Sequence, residues 1–476
     1  MSAKPAFPLR GVMLDPGRVT ERKAYYERLL PWLAEWGYNL LHLHLIDDQR
    51  CALKFPSRPE LATPGAFTPE EMREFVGLAG RLGIAVLPEI ECLGHTALVT
   101  SHPKYRGLGE KPPAGAHFNA ICPSHPETRA IIADLLGDTA EIFPHEVIHV
   151  GLDEVQFGRC PRCRRKFGPG AADWQRFAAH AAWVHAEVRR LGRRPAMWAD
   201  HLVAEPRIMR AFRRDVLMFN WQYVPEYEAP KARLLLDAGF EVVACPALVC
   251  YGTRIAPNQM NLANLRNTAA RSLPQRAVGK GLTGLVNTVW CPWRYLPGAV
   301  DFGLALAAHL FTAGAEDEVF ARRFAERFYG LEGRSARDVG EAVRGLYECS
   351  PEQRLHDRVV AGSCRGEVFN REDRRRSALI IAPAGAALRL LKSARRKVRR
   401  NLERYDDLII SAEAILAVAR FGAAGRRKSA VPGARALYRR AARAWCRDRH
   451  PTDPLRFGDG RHGAVQSLLR TLRGFC

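Results

Sequence analysis

The sequence predicts an α/β fold, a (β/α)8 barrel over residues 1–315 carrying a helical C-terminal extension over residues 316–476. Three observations carry that reading. Eight short β-branched or apolar runs recur through the first 315 residues, helix-period segments separate them, and strand signals stop beyond that point. A doubly wound sheet is the alternative. No GxGxxG follows the first strand, however, so dinucleotide binding loses its main support.

The strand-like runs are Leu9–Leu14, Asn39–Ile46, Ile84–Ile90, Val147–Leu152, Pro195–Ala199, Val216–Trp221, Phe240–Ala244 and Gly284–Trp290. Helical patterns between them cover Glu21–Trp36, Pro69–Leu82, Glu127–Ile142, Asp173–Leu191 and Glu226–Asp237. Thr68 before Pro69 and Glu71, and Ser124 before Glu127, read as N-caps of the capping-box type. Gly37, Gly83, Gly192 and Gly239 mark four helix ends. Beyond residue 315, Glu316–Phe328, Ala336–Tyr347, Ser377–Val398 and Ala412–Ala419 are helical in pattern and are expected to pack on the barrel. Residues 421–433 read as a flexible linker, and the final Arg-rich segment as poorly ordered.

With 476 residues, 47% of them hydrophobic, the chain can bury one large core and a second, smaller one. No stretch reads as an uninterrupted membrane-spanning helix, so no membrane partner is expected. Met1–Pro8 lacks the apolar region of a signal peptide, and the twelve cysteines follow no disulfide spacing. Both point to a cytoplasmic protein with reduced thiols. The net charge of +22 is concentrated late: residues 371–476 hold 26 Lys and Arg against 9 Asp and Glu, or +17. Lys392–Arg400 has the charge to contact phosphate or acidic lipid. No zinc-finger, RNA-recognition or homeodomain signature accompanies it, so it reads as a solvated helical face and nucleic acid is not an expected partner.

Chemistry concentrates where the barrel places strand ends. The run Val147-Ile-His-Val-Gly-Leu-Asp-Glu154 is a buried strand ending in two adjacent carboxylates. An apolar mouth would push the two pKa values apart, the usual way to set a general acid beside a fixed anion. Arg10 lies on the first strand; His44, Asp47 and Asp48 close the second; Glu89, Glu91 and His95 follow the third. Trp198 and Asp200 come at the fifth, Trp221 at the sixth, Tyr251 at the seventh, and Trp290 with Trp293 at the eighth. A core selects aliphatic side chains, so this convergence needs another cause. Indole faces beside carboxylates suit sugar rings, whose C–H faces stack while carboxylates and Arg take the hydroxyls.

Four segments carry a family resemblance: Leu9-Arg-Gly-Val-Met-Leu-Asp15, His42-Leu-His-Leu-Ile-Asp-Asp48, Val86-Leu-Pro-Glu-Ile-Glu-Cys-Leu-Gly-His95 and Ile148-His-Val-Gly-Leu-Asp-Glu154. In order and spacing they resemble family 20 glycoside hydrolases, the β-N-acetylhexosaminidases, over roughly residues 9–315. Asp153-Glu-Val155, the lone late Trp290, and no upstream accessory domain are similar to the single-domain, hexosaminidase D-like branch.

That resemblance implies substrate-assisted retention, an exception to the two-carboxylate scheme. Glu154 would be general acid and then base. Asp153 would hold the acetamido N–H of the substrate, and Tyr251 its acetamido oxygen, which attacks the anomeric carbon. Trp198, Trp221 and Trp290 would box the sugar, Arg10 would bind its O3 and O4 hydroxyls, and His95 with Asp47 would form the relay behind Glu154. No metal or cofactor is needed. The implied partner is a glycan or glycoconjugate ending in N-acetylhexosamine, and a homo-oligomer is compatible with the sequence. Trp290-Cys-Pro292 stands where many members have Trp-x-Glu, and Tyr251-Gly-Thr253 where many have Tyr-x-Asp or Tyr-x-Asn. Groups that discriminate the 4- and 6-positions are therefore absent, and the branch resemblance leans towards GalNAc over GlcNAc. Arg254 reads as a solvated loop cation.

Cys160-Pro-Arg-Cys163 is a CxxC followed by His180 and His185. Five residues apart on a helix, those histidines project about 140° apart and cannot easily share an ion, so Cys160 and Cys163 read as free loop thiols. The reading from a different class is an inactive barrel scaffold whose basic C-terminus binds nucleic acid or another polyanion.

Overall fold

The computed structural model describes residues 4–110, 120–158, 160–250, 252–277, 281–449 and 467–476. Eight parallel strands form the barrel: β1 (Leu9–Leu14), β2 (Leu40–His44), β3 (Ala85–Glu89), β4 (Val147–His149), β5 (Arg194–Trp198), β6 (Leu217–Trp221), β7 (Glu241–Cys245) and β8 (Leu282–Val289). They pair in sequence order, and β8 closes back on β1. Each strand lies within two residues of its expected start. β4 ends three residues earlier than expected because Gly151 and Leu152 take left-handed backbone, with φ of 63° and 74°, which no strand continues through.

The register organises the interior. His44 pairs with Glu89, and Glu89 with His149, so three polar side chains stand in one row across β2, β3 and β4. His42, two residues before His44, shares its face. Local signals explain the helices. Thr68 caps Pro69–Arg81 in a complete capping box with Glu71. Helix Pro126–Ile142 differs: His125, not Ser124, is its N-cap, its ring accepting the Glu127 N–H at 3.2 Å, and the Ser124 hydroxyl turns to the Cys163 sulfur at 3.1 Å.

The chain divides into two compact units: residues 1–222, 227–246 and 268–288, and residues 223–226, 247–267 and 289–476. Helix Asp301–Ala313 belongs with the second unit because Phe302 packs its ring on Phe320, Phe324 and Tyr347, with centroids 5.3–5.6 Å apart. That unit is helical, including Gly333–Cys349, Arg371–Ala394, Leu402–Ala423 and Ala434–Asp448. Much of its basic charge is internally paired: Arg358 with Asp373, Arg404 with Asp301, Arg395 with Asp406 and Arg447 with Asp407. Within the segment read as a linker, residues 421–423 complete the helix Leu402–Ala423, and Lys428–Ala430 form a helical turn. Residues 450–466, most of the final Arg-rich segment, lie outside the described residues. Contrary to the sequence expectation, Arg371–Lys397 is a helical run long and apolar enough to match a membrane span by length and composition; a third of its most apolar window is buried against protein.

Candidate active site

Four loops at the C-terminal ends of β1 to β4 bring charged side chains together in the first unit. Asp47, fully buried, is the hub. Its Oδ2 accepts from His44 Nε2 and Arg18 Nη2, both at 2.8 Å. His95 Nδ1 lies 3.6 Å from Asp47 and 3.5 Å from Asp48, while its Nε2 lies 3.6 Å from Asp153 and 3.4 Å from Glu154. One imidazole therefore stands between two carboxylate pairs at ion-pair distance, looser than a good hydrogen bond. Asp153 is buried and Glu154 has 45% of its side chain exposed.

Backbone conformation sets this geometry. His95, Leu152 and Glu154 all have positive φ, between 48° and 74°, a rare state for residues with a Cβ. Two glycines allow close approaches. A Cβ on Gly151 would fall 2.1 Å from the Glu91 carboxylate, and one on Gly94 would fall 2.5 Å from the Asp153 carbonyl oxygen. From the segment after β5, Asp200 Oδ2 accepts the Glu154 N–H and His201 Nε2 accepts the Val155 N–H, both at 3.0 Å.

The electrostatics follow from burial and neighbours. Burial pushes the Asp153 carboxyl up, with help from Asp200 and Glu154 and against the pull of His95, to about 7. Burial alone would raise Glu154 and lower His95. The His95 hydrogen bond and charge instead bring Glu154 below its ordinary value, while Asp47 and Asp153 hold His95 well above the usual imidazole value. Burial thus raises Asp153 while His95 lowers Glu154, the reverse of the order a ready general acid needs.

Beneath this cluster the barrel interior is polar. Glu89 Oε2 sits 2.9 Å from both His42 Nε2 and His44 Nδ1. Its Oε1 lies 3.2 Å from His149 Nδ1 and accepts the Trp198 indole N–H at 2.5 Å. Burial would raise Glu89, but the three histidines hold it well below the carboxylate range.

The structure unites Asp47, His95, Asp153 and Glu154, and it corrects two assignments. Arg10 lies at the N-terminal start of β1, at the opposite end of the strand from the cluster. Its guanidinium is spent on the carbonyls of Phe7, Pro8 and Gly37 at 2.8–3.0 Å. The arginine at the C-terminal end of β1 is Arg18, overlooked although it follows Leu14 by only four residues. Trp198 is fully buried, with its ring against His42, His149 and Phe219 and its N–H taken by Glu89, so it is a floor of the barrel interior and presents no face to a sugar. Trp221 ends β6 partly exposed. In the second unit Trp290 is buried and donates its indole N–H to Tyr223 Oη at 2.9 Å. Arg254 is no solvated loop cation: it is 1% exposed and grips Asp357 bidentately at 2.9 and 3.1 Å. Tyr251 lies outside the described residues. Sequence reasoning also missed the support of the Glu154 segment by Asp200 and His201, since nothing local in sequence links the fourth and fifth loops.

The comparisons agree with this architecture. A Beta-hexosaminidase of Akkermansia muciniphila is 29% identical over 223 residues, 41% of this chain and 45% of its own. A Beta-hexosaminidase of Vibrio furnissii is 26% identical over 285 residues, 52% of this chain and 44% of its own. The chain thus spans less than half the length of these curated relatives. Among solved structures, the GH20 exo β-N-acetylglucosaminidase of Vibrio harveyi superposes with a TM-score of 0.55 at 23% identity, over 66% of this chain and 56% of that one, a likeness of fold. Residues 7–272, more than half of the chain, match the model described as "Glycosyl hydrolase family 20, catalytic domain". With its closed parallel barrel and the carboxylates at the β4 end, the chain belongs to glycoside hydrolase family 20.

Proposed function

We propose that this protein is an exo-acting β-N-acetylhexosaminidase that removes terminal β-linked GalNAc or GlcNAc from glycans with retention, using the substrate's acetamido group as nucleophile. The observation that carries this reading is His95, held between Asp47–Asp48 and the Asp153–Glu154 pair. Half-exposed Glu154 is the carboxyl able to reach a glycosidic oxygen; buried Asp153 is suited to receive an acetamido N–H.

Binding supplies the missing proton order. An acetamido N–H donated to Asp153 favours its anion, and a sugar that displaces water from Glu154 raises that carboxyl. The proton then passes from Asp153 to Glu154 by way of His95, which lies 3.6 and 3.4 Å from the two. Glu154 protonates the leaving oxygen as the acetamido oxygen bonds to the anomeric carbon, and the C–O bond breaks to give an oxazolinium ion stabilised by Asp153. Glu154, now a carboxylate, takes a proton from water, which opens the oxazolinium at the anomeric carbon. Arg18, anchored by Asp15 and Asp47, replaces Arg10 as the cation available to ring hydroxyls. Trp221, partly exposed at the end of β6, keeps its expected role against the sugar face.

The test is hydrolysis of p-nitrophenyl β-GalNAc and β-GlcNAc by wild type and Glu154→Gln. Activity on at least one sugar, lost in the variant, is expected; a wild type inactive on both overturns the reading. A thiazoline mimic of the oxazoline should inhibit strongly, and no inhibition would reject the acetamido nucleophile.

A further inference from the structure

The structure assigns a structural zinc site to Glu110, Cys122, Cys160 and Cys163, four buried side chains of the first unit whose ligating atoms all lie within 4.8 Å of one another. From sequence, His180 and His185 are the only partners that suggest themselves for the CxxC, and setting them aside leaves Cys160 and Cys163 as free loop thiols. His180 instead approaches the Cys92 carbonyl at 2.9 Å, and His185 packs on Phe212. The third and fourth ligands come from a ribbon far away in sequence.

Local backbone presents all four. Cys160 is the N-cap of helix Pro161–Phe167 and Cys163 lies in its first turn, the usual way a CxxC aims two sulfurs at one point. Opposite them, Glu110 N–H donates to the Ala120 carbonyl at 2.7 Å and Cys122 N–H to the Leu108 carbonyl at 2.6 Å, around the antiparallel bridge Gly109–Ile121. That pairing places the Glu110 and Cys122 side chains on the same face of the ribbon.

The distances suit a tetrahedral ion. Cys122 Sγ is 3.3 Å from Cys160 Sγ and 3.7 Å from Cys163 Sγ, and Cys163 Sγ is 3.0 Å from Glu110 Oε1. Zn–S bonds of about 2.3 Å give S···S edges of about 3.8 Å, close to the longer of these separations. All three cysteines are free thiols, so no disulfide explains the convergence. Glu110 is 4% exposed, and its Oε2 has no hydrogen-bond partner among the described residues, which is costly for a buried carboxylate unless a cation faces it. Ser124 Oγ, 3.1 Å from Cys163 Sγ, is placed to hydrogen-bond a ligating sulfur. Three soft thiolates select zinc over magnesium or calcium, and four protein ligands leave no open position, so the ion is structural.

Its place in the fold gives it a purpose. Cys160 follows Glu154 by six residues, and Ile121, next to Cys122, donates its N–H to the Leu93 carbonyl two residues before His95. The ion would tie the segment after the carboxylate pair to the ribbon that backs the His95 loop.

The full-length chain, expressed with zinc supplied and then desalted, tests this by elemental analysis, thiol titration and Co(II) substitution. About one zinc per chain is expected, with a Co(II) form showing tetrahedral ligand-field bands and thiolate-to-metal charge transfer. Cys122→Ser/Cys163→Ser should lower the zinc content by about tenfold or more. The proposal is overturned by wild type holding under about a tenth of a zinc per chain, by a disulfide among the three cysteines, or by full zinc retention in the double variant. If that variant does not fold, wild-type stoichiometry and the Co(II) spectrum decide the matter. None of these readouts depends on glycosidase activity.

Discussion

Two clusters of the same residue types lie one above the other in the barrel and behave differently. Around Glu89, the contacts to His42, His44, His149 and Trp198 are 2.5–3.2 Å, and every member is buried. Around His95, the contacts to four carboxylates are 3.4–3.6 Å, the backbone is strained, and Glu154 is half-exposed. The lower cluster sits on regular strands whose register does the positioning. The upper one sits on loops held in costly conformations, with its contacts at looser ion-pair distance. Burial with close ion pairing makes a support; burial with looser pairing makes a site that can exchange protons.

The sharpest way to break the comparison is to remove the half-exposed acid. Glu154→Gln should lose about four orders of magnitude in kcat/KM on an unactivated glycoside, about 5 kcal/mol of barrier, with the melting temperature little changed. Removing the charge of the lower cluster should do the opposite. Glu89→Gln removes one of the two carboxylates that pair with buried His44, the other being Asp47, and should cost about 3–5 kcal/mol in denaturant unfolding. If Glu89→Gln spares stability while abolishing turnover, the lower cluster is not a support.

The pH profile sharpens the same contrast. The competent enzyme carries one acid proton on the Asp153–Glu154 pair, and in the free protein burial pushes the Asp153 carboxyl that holds it up to about 7. Above that value the proton is lost, so kcat/KM should fall towards a tenfold loss per pH unit as pH rises. Asp153→Asn should abolish the limb near 7 along with most activity, and a wild-type limb near the ordinary carboxylate range would refute the burial argument. The smallest expected effect separates two arginines. Arg10→Ala should cost about 1–3 kcal/mol of stability, since it removes hydrogen bonds to three carbonyls, yet leave KM within about twofold. Arg18→Ala should raise KM by about tenfold or more, and equal kinetic effects would undo the reassignment.

What was legible in the sequence was whatever repeats or caps locally. Strand periodicity located all eight barrel strands, and Thr68 with Glu71 marked a helix start correctly. The Asp153–Glu154 pair and His95 were legible because they follow strand ends. Arg10 misled because it lies on the right strand but at the wrong end, and Trp198 because a strand-final indole can face inward as well as outward. The Glu89 cluster needed the registers of three strands at once, and Cys122 stands 38 residues from Cys160, so no local pattern joins them. Ser124 looked like a cap because its spacing fits one; a neighbouring histidine took that task.

The contact of Gly94 with the Asp153 carbonyl makes the third and fourth loops a single inheritable module. A side chain at position 94 would meet backbone that cannot yield, so neither loop can be exchanged with a relative's on its own. Grafting a new specificity onto this barrel therefore means importing both loops together, and random recombination with a crossover between Gly94 and Asp153 should yield mostly inactive chimeras.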